Sequence, residues 1–335
     1  MPRLPLARGS VSELLVERLS GAPGPLPEPG PLAGADPFTD EDLHLALYLA
    51  YELHYRGWDG VDPAWEWEPS LLALRRGLEE VFEAGLRAVV PEPRAPAPED
   101  MDLALRAVDD AAEGPSLSRH LELDATREQF EEFLVHRSAY QLKEADPHSW
   151  ALPRLTGAPK AALVEIQADE YGGGDPERMH AALFARTLAA LGLEAEYGAH
   201  IDRIPGATLA TVNLMSLFGL HRRLRGAIVG HLALFEMTSS VPARRVANGL
   251  RRLGLGEEAT RFFDVHVEAD AIHEAIAAVD LAGGLARDEP QLAAQIVWGA
   301  TCLAEVEGRW AVGVLEAWEA GDSSLRAARP AAALA

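Results

Sequence analysis

Apolar residues recur with a helical period along most of this chain. Beyond residue 112 they return about every 3.6 positions over long segments, for example 125–145, 224–239 and 290–320. No segment alternates apolar and polar residues strictly enough to predict a strand. Several helical segments end at a glycine, such as Gly192 and Gly254, as helix C-termini commonly do. The pattern predicts an all-α protein built as a helical bundle.

The boundaries of the predicted helices follow from this period and from the flanking residues. Thr39, with Asp42 in the first turn, is the predicted N-cap of the first helix. The predicted helices span residues 39–55, 69–89, 125–145, 159–171, 176–191, 208–218, 224–239, 243–253, 257–281 and 290–320.

Proline divides the chain into regions. Twelve of the 23 prolines lie in 1–38 and 91–98, where they prevent regular helices. We therefore expect an N-terminal helical extension with Pro-rich linkers over 1–98 and a helical bundle over 99–325. The small residues of 326–335 predict a disordered tail.

Charge and composition exclude several classes of partner. The chain has 52 acidic against 30 basic residues, a formal net charge of −22, so it repels nucleic acids and anionic membrane surfaces. Its longest apolar stretches, 43–51 and 227–235, are well short of the ~18 residues of a spanning helix. Charged residues interrupt the N-terminus, so we expect no signal peptide and a soluble cytoplasmic protein.

The residue inventory also excludes common catalytic sites. Cys302 is the single cysteine, which rules out an internal disulfide and a Cys-rich zinc site. No G-x-x-x-x-G-K-[ST] loop and no G-x-S-x-G elbow is present. Phosphate-loop enzymes and the common serine hydrolases are therefore excluded.

The most informative motif is H-x3-D-x2-H, formed by His266, Asp270 and His273. On a helix these positions lie within about 60° of arc, on the stripe that also carries Phe262 and Ala277. Burying imidazole and carboxylate costs free energy unless they are paired or bound. A metal is one partner that would satisfy them. The alternative is a helix–helix contact in which the histidines and the aspartate bond one another.

Three glutamates are likewise ionisable residues on an apolar helix face. Glu144, Glu170 and Glu236 each lie on the apolar side of a predicted helix, and His180 lies near the start of the next one. A carboxylate at a helix C-terminus, as at Glu144, is also unfavourable for the helix dipole. Each glutamate taken alone is more often a surface or ion-paired residue, and Arg137 is available as a structural partner for Glu144.

Counting these side chains indicates the metal. Three imidazoles and four carboxylates exceed what one zinc binds and are too rich in nitrogen for calcium or magnesium. Mixed shells of this kind on bundle helices fit a pair of iron or manganese ions. A ferritin-like site would need two Glu-x-x-His motifs, and only the related Asp270-x-x-His273 is present.

The order of these residues resembles the heme-oxygenase-like diiron oxidases, the iron-containing redox enzymes. The flanking segments 137–148, 165–174 and 230–237 are similar too, and the resemblance covers about residues 112–320. It implies a heme-oxygenase-like, thiaminase-type bundle without heme. Two Fe(II)/Fe(III) ions would react with O2, the co-substrate, through a peroxo-diferric intermediate.

The resemblance also implies a ligand set. One iron would use Glu144, His180 and His273, and the other Glu170, His266 and Asp270. Glu144 would bridge the two ions, and Glu236 would be an added carboxylate of the N-oxygenating branch.

The function expected from the resemblance is oxidation of a small molecule, an amine or amino-acid derivative, by N-oxygenation or C–C cleavage. Alternatives are oxidative decarboxylation of a fatty acid, a metal-free thiaminase-like hydrolase and a non-catalytic iron-binding protein. The sequence leaves open the substrate, an external electron donor and a homodimer.

Overall fold

The computed structural model describes residues 1–27, 34–111 and 114–327, without the side chains of 268–272. Within these ranges the chain forms helices, turns and irregular segments and no β-strand, which confirms the all-α prediction. The α-helices are α1 (Ser10–Leu19), α2 (Glu41–Glu52), α3 (Pro69–Val89), α4 (Met101–Asp110), α5 (Leu117–Leu123), α6 (Arg127–Gln141), α7 (Asp146–Ser149), α8 (Gly157–Glu170), α9 (His180–Ala190), α10 (Gly206–Leu220), α11 (Arg225–Arg252), α12 (Glu257–Ala275), α13 (Gly284–Asp288) and α14 (Ala293–Glu319).

Helix α2 has its N-cap one residue later than the sequence predicted. Its N-cap is Asp40, whose carboxylate accepts a hydrogen bond from the Leu43 backbone N–H at 2.8 Å. The predicted cap, Thr39, precedes it and is therefore not the cap. At α6 a complete capping box is present, because Thr126 and Gln129 each accept from the backbone N–H of the other.

Helix α11 is continuous across Pro242, where the sequence predicted two helices. Proline removes one backbone hydrogen bond and crowds the preceding turn. The helix persists because both its halves are buried, the first against α14 and the second, including Val246 and Leu250, against α5 and α12. Tertiary packing outweighs the local cost of the proline.

The predicted helix 257–281 contains a change of winding. Helix α12 ends at Ala275, and a π-helix over Ile276–Gly283 continues it into α13. The wider winding shifts the register of the side chains beyond Ala275 relative to those on α12.

Helices α11 and α14 cross with their backbones in contact. A Cβ atom added to Gly230 would lie 1.8 Å from the Ile296 carbonyl oxygen, and one added to Gly299 would lie 2.1 Å from the Ala227 oxygen. Only glycine permits this approach. The crossing fixes the position of α11 along its axis relative to α14, and with it the position of Glu236.

The N-terminal helices share the main hydrophobic core with the later ones. Helix α2 packs against α10, and Leu45 and Leu209 belong to the same buried cluster. Arg326, the first residue of the predicted tail, donates its backbone N–H to the Arg203 carbonyl at 2.8 Å. The rest of that tail from 328 lies outside the described residues. No helix in the described ranges is long and apolar enough to cross a membrane.

Candidate metal centre

The predicted ligands come from five parts of the chain. Glu144 lies in the turn after α6, Glu170 ends α8 and His180 begins α9. Glu236 lies within α11, and the H-x3-D-x2-H motif lies on α12. The six residues whose side chains are described are all buried: Glu144, Glu170, Glu236, His180, His266 and His273.

A first donor group contains Glu144, Glu170, His180 and His266. One donor atom from each lies within 4.8 Å of the others. His180 Nδ1 is 2.8 Å from Glu170 Oε2, and His266 Nε2 is 3.6 Å from Glu144 Oε1. Two imidazoles and two carboxylates thus converge on one point, a mixed donor set that suits iron or manganese.

A second donor group contains Glu170, Glu236 and His273, again with donor atoms within 4.8 Å of one another. His273 Nδ1 is 3.3 Å from Glu236 Oε2. Glu170 belongs to both groups, so the six described residues form one continuous buried cluster. Glu170 therefore offers a carboxylate oxygen to both groups.

This grouping differs from the partition that the resemblance implied. The rings of His180 and His266 lie 4.4 Å apart, so these two histidines belong together. His273 is seven residues after His266, roughly 10 Å further along α12, and it lies beside Glu236 instead of His180. The shared residue is Glu170, not Glu144. The Asp270 side chain lies outside the described residues, and its role as a ligand stays a prediction.

Two acceptors orient the histidines of α12. His266 Nδ1 donates to the Phe262 carbonyl at 2.7 Å, which directs Nε2 toward Glu144. His273 Nε2 donates to Asp169 Oδ2 at 2.9 Å, which directs Nδ1 toward Glu236. Metal-binding histidines typically donate their other ring nitrogen in this way. The sequence did not reveal Asp169, because an acid on the exposed side of α8 looks like an ordinary surface residue, and its side chain is 63% exposed.

Burial and charge shift the protonation of the cluster. Burial raises the pKa of Glu144 and of Glu236, against the opposing effect of their histidine neighbours. Burial also disfavours the His273 imidazolium, but Glu236 and Asp169 outweigh it and raise the pKa of His273 to about 9. The proton on His273 therefore offsets part of the buried negative charge, and a bound cation would displace it.

A small cavity of about 10 Å³, room for about one water molecule, is lined by Glu144, Glu170 and His266 of the first donor group and by Glu236 of the second. Its apolar wall is formed by Tyr140, Leu232 and Phe235. Glu144 Oε2 is buried there with no hydrogen-bond partner among the described residues. A buried acceptor without a donor is costly, and a cation would satisfy it. The residues present therefore fit a bound metal.

Three other ionisable residues, outside the two donor groups, have partners of their own. Arg137 forms two hydrogen bonds to Glu307, at 2.8 and 3.0 Å, and is therefore not the partner of Glu144. His231 contacts His148 at 3.1 Å, and burial lowers the pKa of both.

Comparison with known proteins agrees with this centre. Residues 131–308, more than half of the chain, match the family of iron-containing redox enzymes. The chain belongs to that family. The resemblance seen in the ligand spacing is thereby confirmed, and so is the helical fold class.

A curated relative of this iron-containing redox enzyme is nitrosourea synthase from Streptomyces achromogenes subsp. streptozoticus. The two are 27% identical over 141 residues, which cover 42% of this chain and 30% of the relative. The chain thus spans about a third of the length of the curated relative that it matches. All seven predicted ligands lie inside the family match, and residues 1–130 lie outside it.

Proposed function

We propose that this chain is an O2-dependent, non-heme diiron oxidoreductase that oxidises a nitrogen of an amine or amino-acid derivative. The observation that carries the proposal is the pair of buried donor groups that share Glu170. A single structural cation would need only one such group.

Each ion would have its own donors. Glu144, His180 and His266 would hold one ion and Glu236 and His273 the other, with Glu170 between them. Asp270 would add a carboxylate from α12. Iron bound here would supply the electrons that reduce O2.

The protein's own residues would orient the histidine ligands, set the charge around the ions and exclude water from the cavity. The Phe262 carbonyl and the Asp169 carboxylate hold the imidazoles in the tautomers that face the cluster. Anionic carboxylates favour the ferric over the ferrous state, which promotes electron donation to O2. Tyr140 and Phe235 shield the cavity from bulk water, which would otherwise compete for the reacting groups.

The lining of the cavity favours a substrate that donates hydrogen bonds from N–H groups. Gln167 Nε2 donates to the Ala145 carbonyl at 2.9 Å and to Ser149 Oγ at 2.7 Å, which orients the amide. Gln167 Oε1 is buried and has no hydrogen-bond partner among the described residues. An amine or guanidine N–H would satisfy this acceptor.

Homology favours nitrogen over a fatty acid. The relative is named nitrosourea synthase, and a nitrosourea carries its nitroso group on nitrogen. Among its described lining residues the cavity also has no lysine or arginine that would pair with a fatty carboxylate.

Metal stoichiometry tests the two-ion site. Anaerobic titration with Fe(II) should saturate at two ions per chain. Glu170→Ala should bind fewer ions, because both groups lose a donor, whereas Glu165→Ala on the exposed face of the same helix should match the wild type. Saturation of the wild type at one ion would refute the two-ion site.

Oxygen exposure tests the redox activity. The loaded wild type should consume O2 and show a transient visible absorption, and His266→Ala should lose it. Consumption should accelerate with primary amines and amino-acid derivatives, with N-oxygenated products detected by mass spectrometry. Iron uptake without O2 consumption would instead support a non-catalytic iron-binding protein. Faster consumption with fatty acids alone would support decarboxylation.

A further inference from the structure

The ligand Glu144 lies in a turn that needs external support. Residues 142–145 form a turn between α6 and α7. Ala145 has a φ of 73°, the left-handed region that non-glycine residues rarely adopt. Such a conformation is unfavourable and persists only where surrounding contacts hold it.

The first support is a buried ion pair with the N-terminal part of the chain. Lys143, the neighbour of Glu144, donates from Nζ to Glu52 Oε2 at 2.9 Å, and both side chains are at most 1% exposed. Tyr197 donates its hydroxyl to the same carboxylate oxygen at 2.6 Å. The Lys143 ammonium also lies 4.2 Å from the Tyr55 ring centre. Every charge in this network has partners, so the network is rigid.

The second support comes one turn later from the same segment. Arg56 donates to the Leu142 carbonyl at 2.9 Å and lies 3.9 Å from Asp146 Oδ2. Its backbone N–H also donates to Glu52 Oε1 at 3.3 Å. Residues at both ends of the turn are therefore tied to the last residue of α2, Glu52, and to Arg56 in the turn that follows it.

We propose that Glu52 and Arg56, which lie outside the family match, are positioning residues that hold Glu144 in its metal-binding place. The inference rests on the proposed function for the identity of the ligand. Neither residue belongs to the donor groups, so each would act through the turn of residues 142–146. The N-terminal segment would then be part of the metal centre and not only a cover for the bundle.

The test compares Glu52→Gln with a matched control. Glu79→Gln removes a charge from an equally buried carboxylate on α3, which pairs with Arg75 and His221 and not with the turn. Binding of Co(II) to the metal-free full-length chain reports affinity and ligand-field spectrum without turnover. We expect Glu52→Gln to lower the affinity of one site at least tenfold and to change its spectrum. Glu79→Gln should keep both, even at a similar loss of thermal stability.

A surface variant covers the case in which Glu52→Gln does not fold. Arg56 is 42% exposed at its side chain, so Arg56→Ala should fold while losing the bond to the Leu142 carbonyl. It should weaken Co(II) binding several-fold, and Arg56→Lys should restore part of the affinity because its ammonium can still donate to that carbonyl.

Hydrogen exchange separates this inference from the two-ion proposal. The peptide containing residues 142–146 should exchange faster in both variants than in wild type and in Glu79→Gln, with or without metal. If wild type binds fewer than two ions but this exchange still rises, the two-ion proposal fails and the positioning role stands. Unchanged exchange and unchanged Co(II) spectra in both variants would overturn the positioning role.

Discussion

Replacing Gly230 with alanine tests how closely α11 and α14 approach. The added methyl group would lie 1.8 Å from the Ile296 carbonyl oxygen and 2.6 Å from its carbon. A carbon–oxygen contact needs about 3.3 Å, so the helices must separate locally by roughly 1.5 Å. Both atoms belong to the backbone, and no side-chain rotation can relieve the overlap.

The expected cost follows from this overlap. Overpacking costs about 1–3 kcal/mol, and a backbone collision places Gly230→Ala at the upper end of that range. The higher helix propensity of alanine raises the free energy of unfolding by about 0.5–1 kcal/mol and offsets part of this cost. We expect a net loss of about 2 kcal/mol, which lowers the thermal midpoint by roughly 3 °C for a chain of 335 residues. Because Glu236 lies further along the same helix, binding at the Glu236–His273 group should weaken as well.

Thermal and urea unfolding followed by circular dichroism would measure this loss. Gly308→Ala is the matched control, since Gly308 lies within α14, is exposed and has no atom within 4 Å of its added Cβ. It should gain about 0.5–1 kcal/mol. If Gly230→Ala is as stable as wild type or gains stability like the control, the backbone contact between the helices does not exist.

Three further outcomes follow from the site and the core. Asp169→Ala should lower metal affinity roughly tenfold, because His273 loses the acceptor that orients it; equal Co(II) isotherms for this variant and Glu165→Ala would contradict this. The pKa of His273, about 9 when folded against roughly 6.5 unfolded, should stabilise the metal-free protein fully below about pH 6.5, and this stabilisation should disappear as pH rises through 9. The difference in unfolding free energy between wild type and His273→Gln should therefore shrink between pH 6 and pH 10, and a constant difference would be the contrary result. Cys302 is fully buried and burial raises the pKa of its thiol, so Ellman's reagent should label it only after unfolding, and labelling of the native protein would disprove its burial.

The cluster of predicted ligands was accessible from sequence for a physical reason. Helical spacing places His266 and His273 on one stripe whatever surrounds them, and the apolar neighbours predict that this stripe is buried. The same reasoning singled out Glu144, Glu170 and Glu236 as acids on apolar faces. The structure buries all five and brings them together through contacts that helical periodicity does not encode.

The grouping of those residues was not accessible from sequence. It depends on which imidazole packs beside His180 and on Glu170 lying between the two donor groups. Asp169 was missed because its role depends on reaching His273 across α8 and α12, a contact between residues 104 positions apart. The continuity of α11 across Pro242 was missed because local propensity argues against it, whereas burial of both halves of α11 stabilises it.

The sequence by itself determined the helical class and singled out the residues that form the buried His/Glu cluster, because period, charge and side-chain type are local properties. Only the tertiary structure decided which carboxylate is shared, which acceptors orient the histidines and how the N-terminal Glu52 reaches the turn of Glu144. Those features arise where distant segments meet, and the distance between two segments is set by packing of the whole bundle.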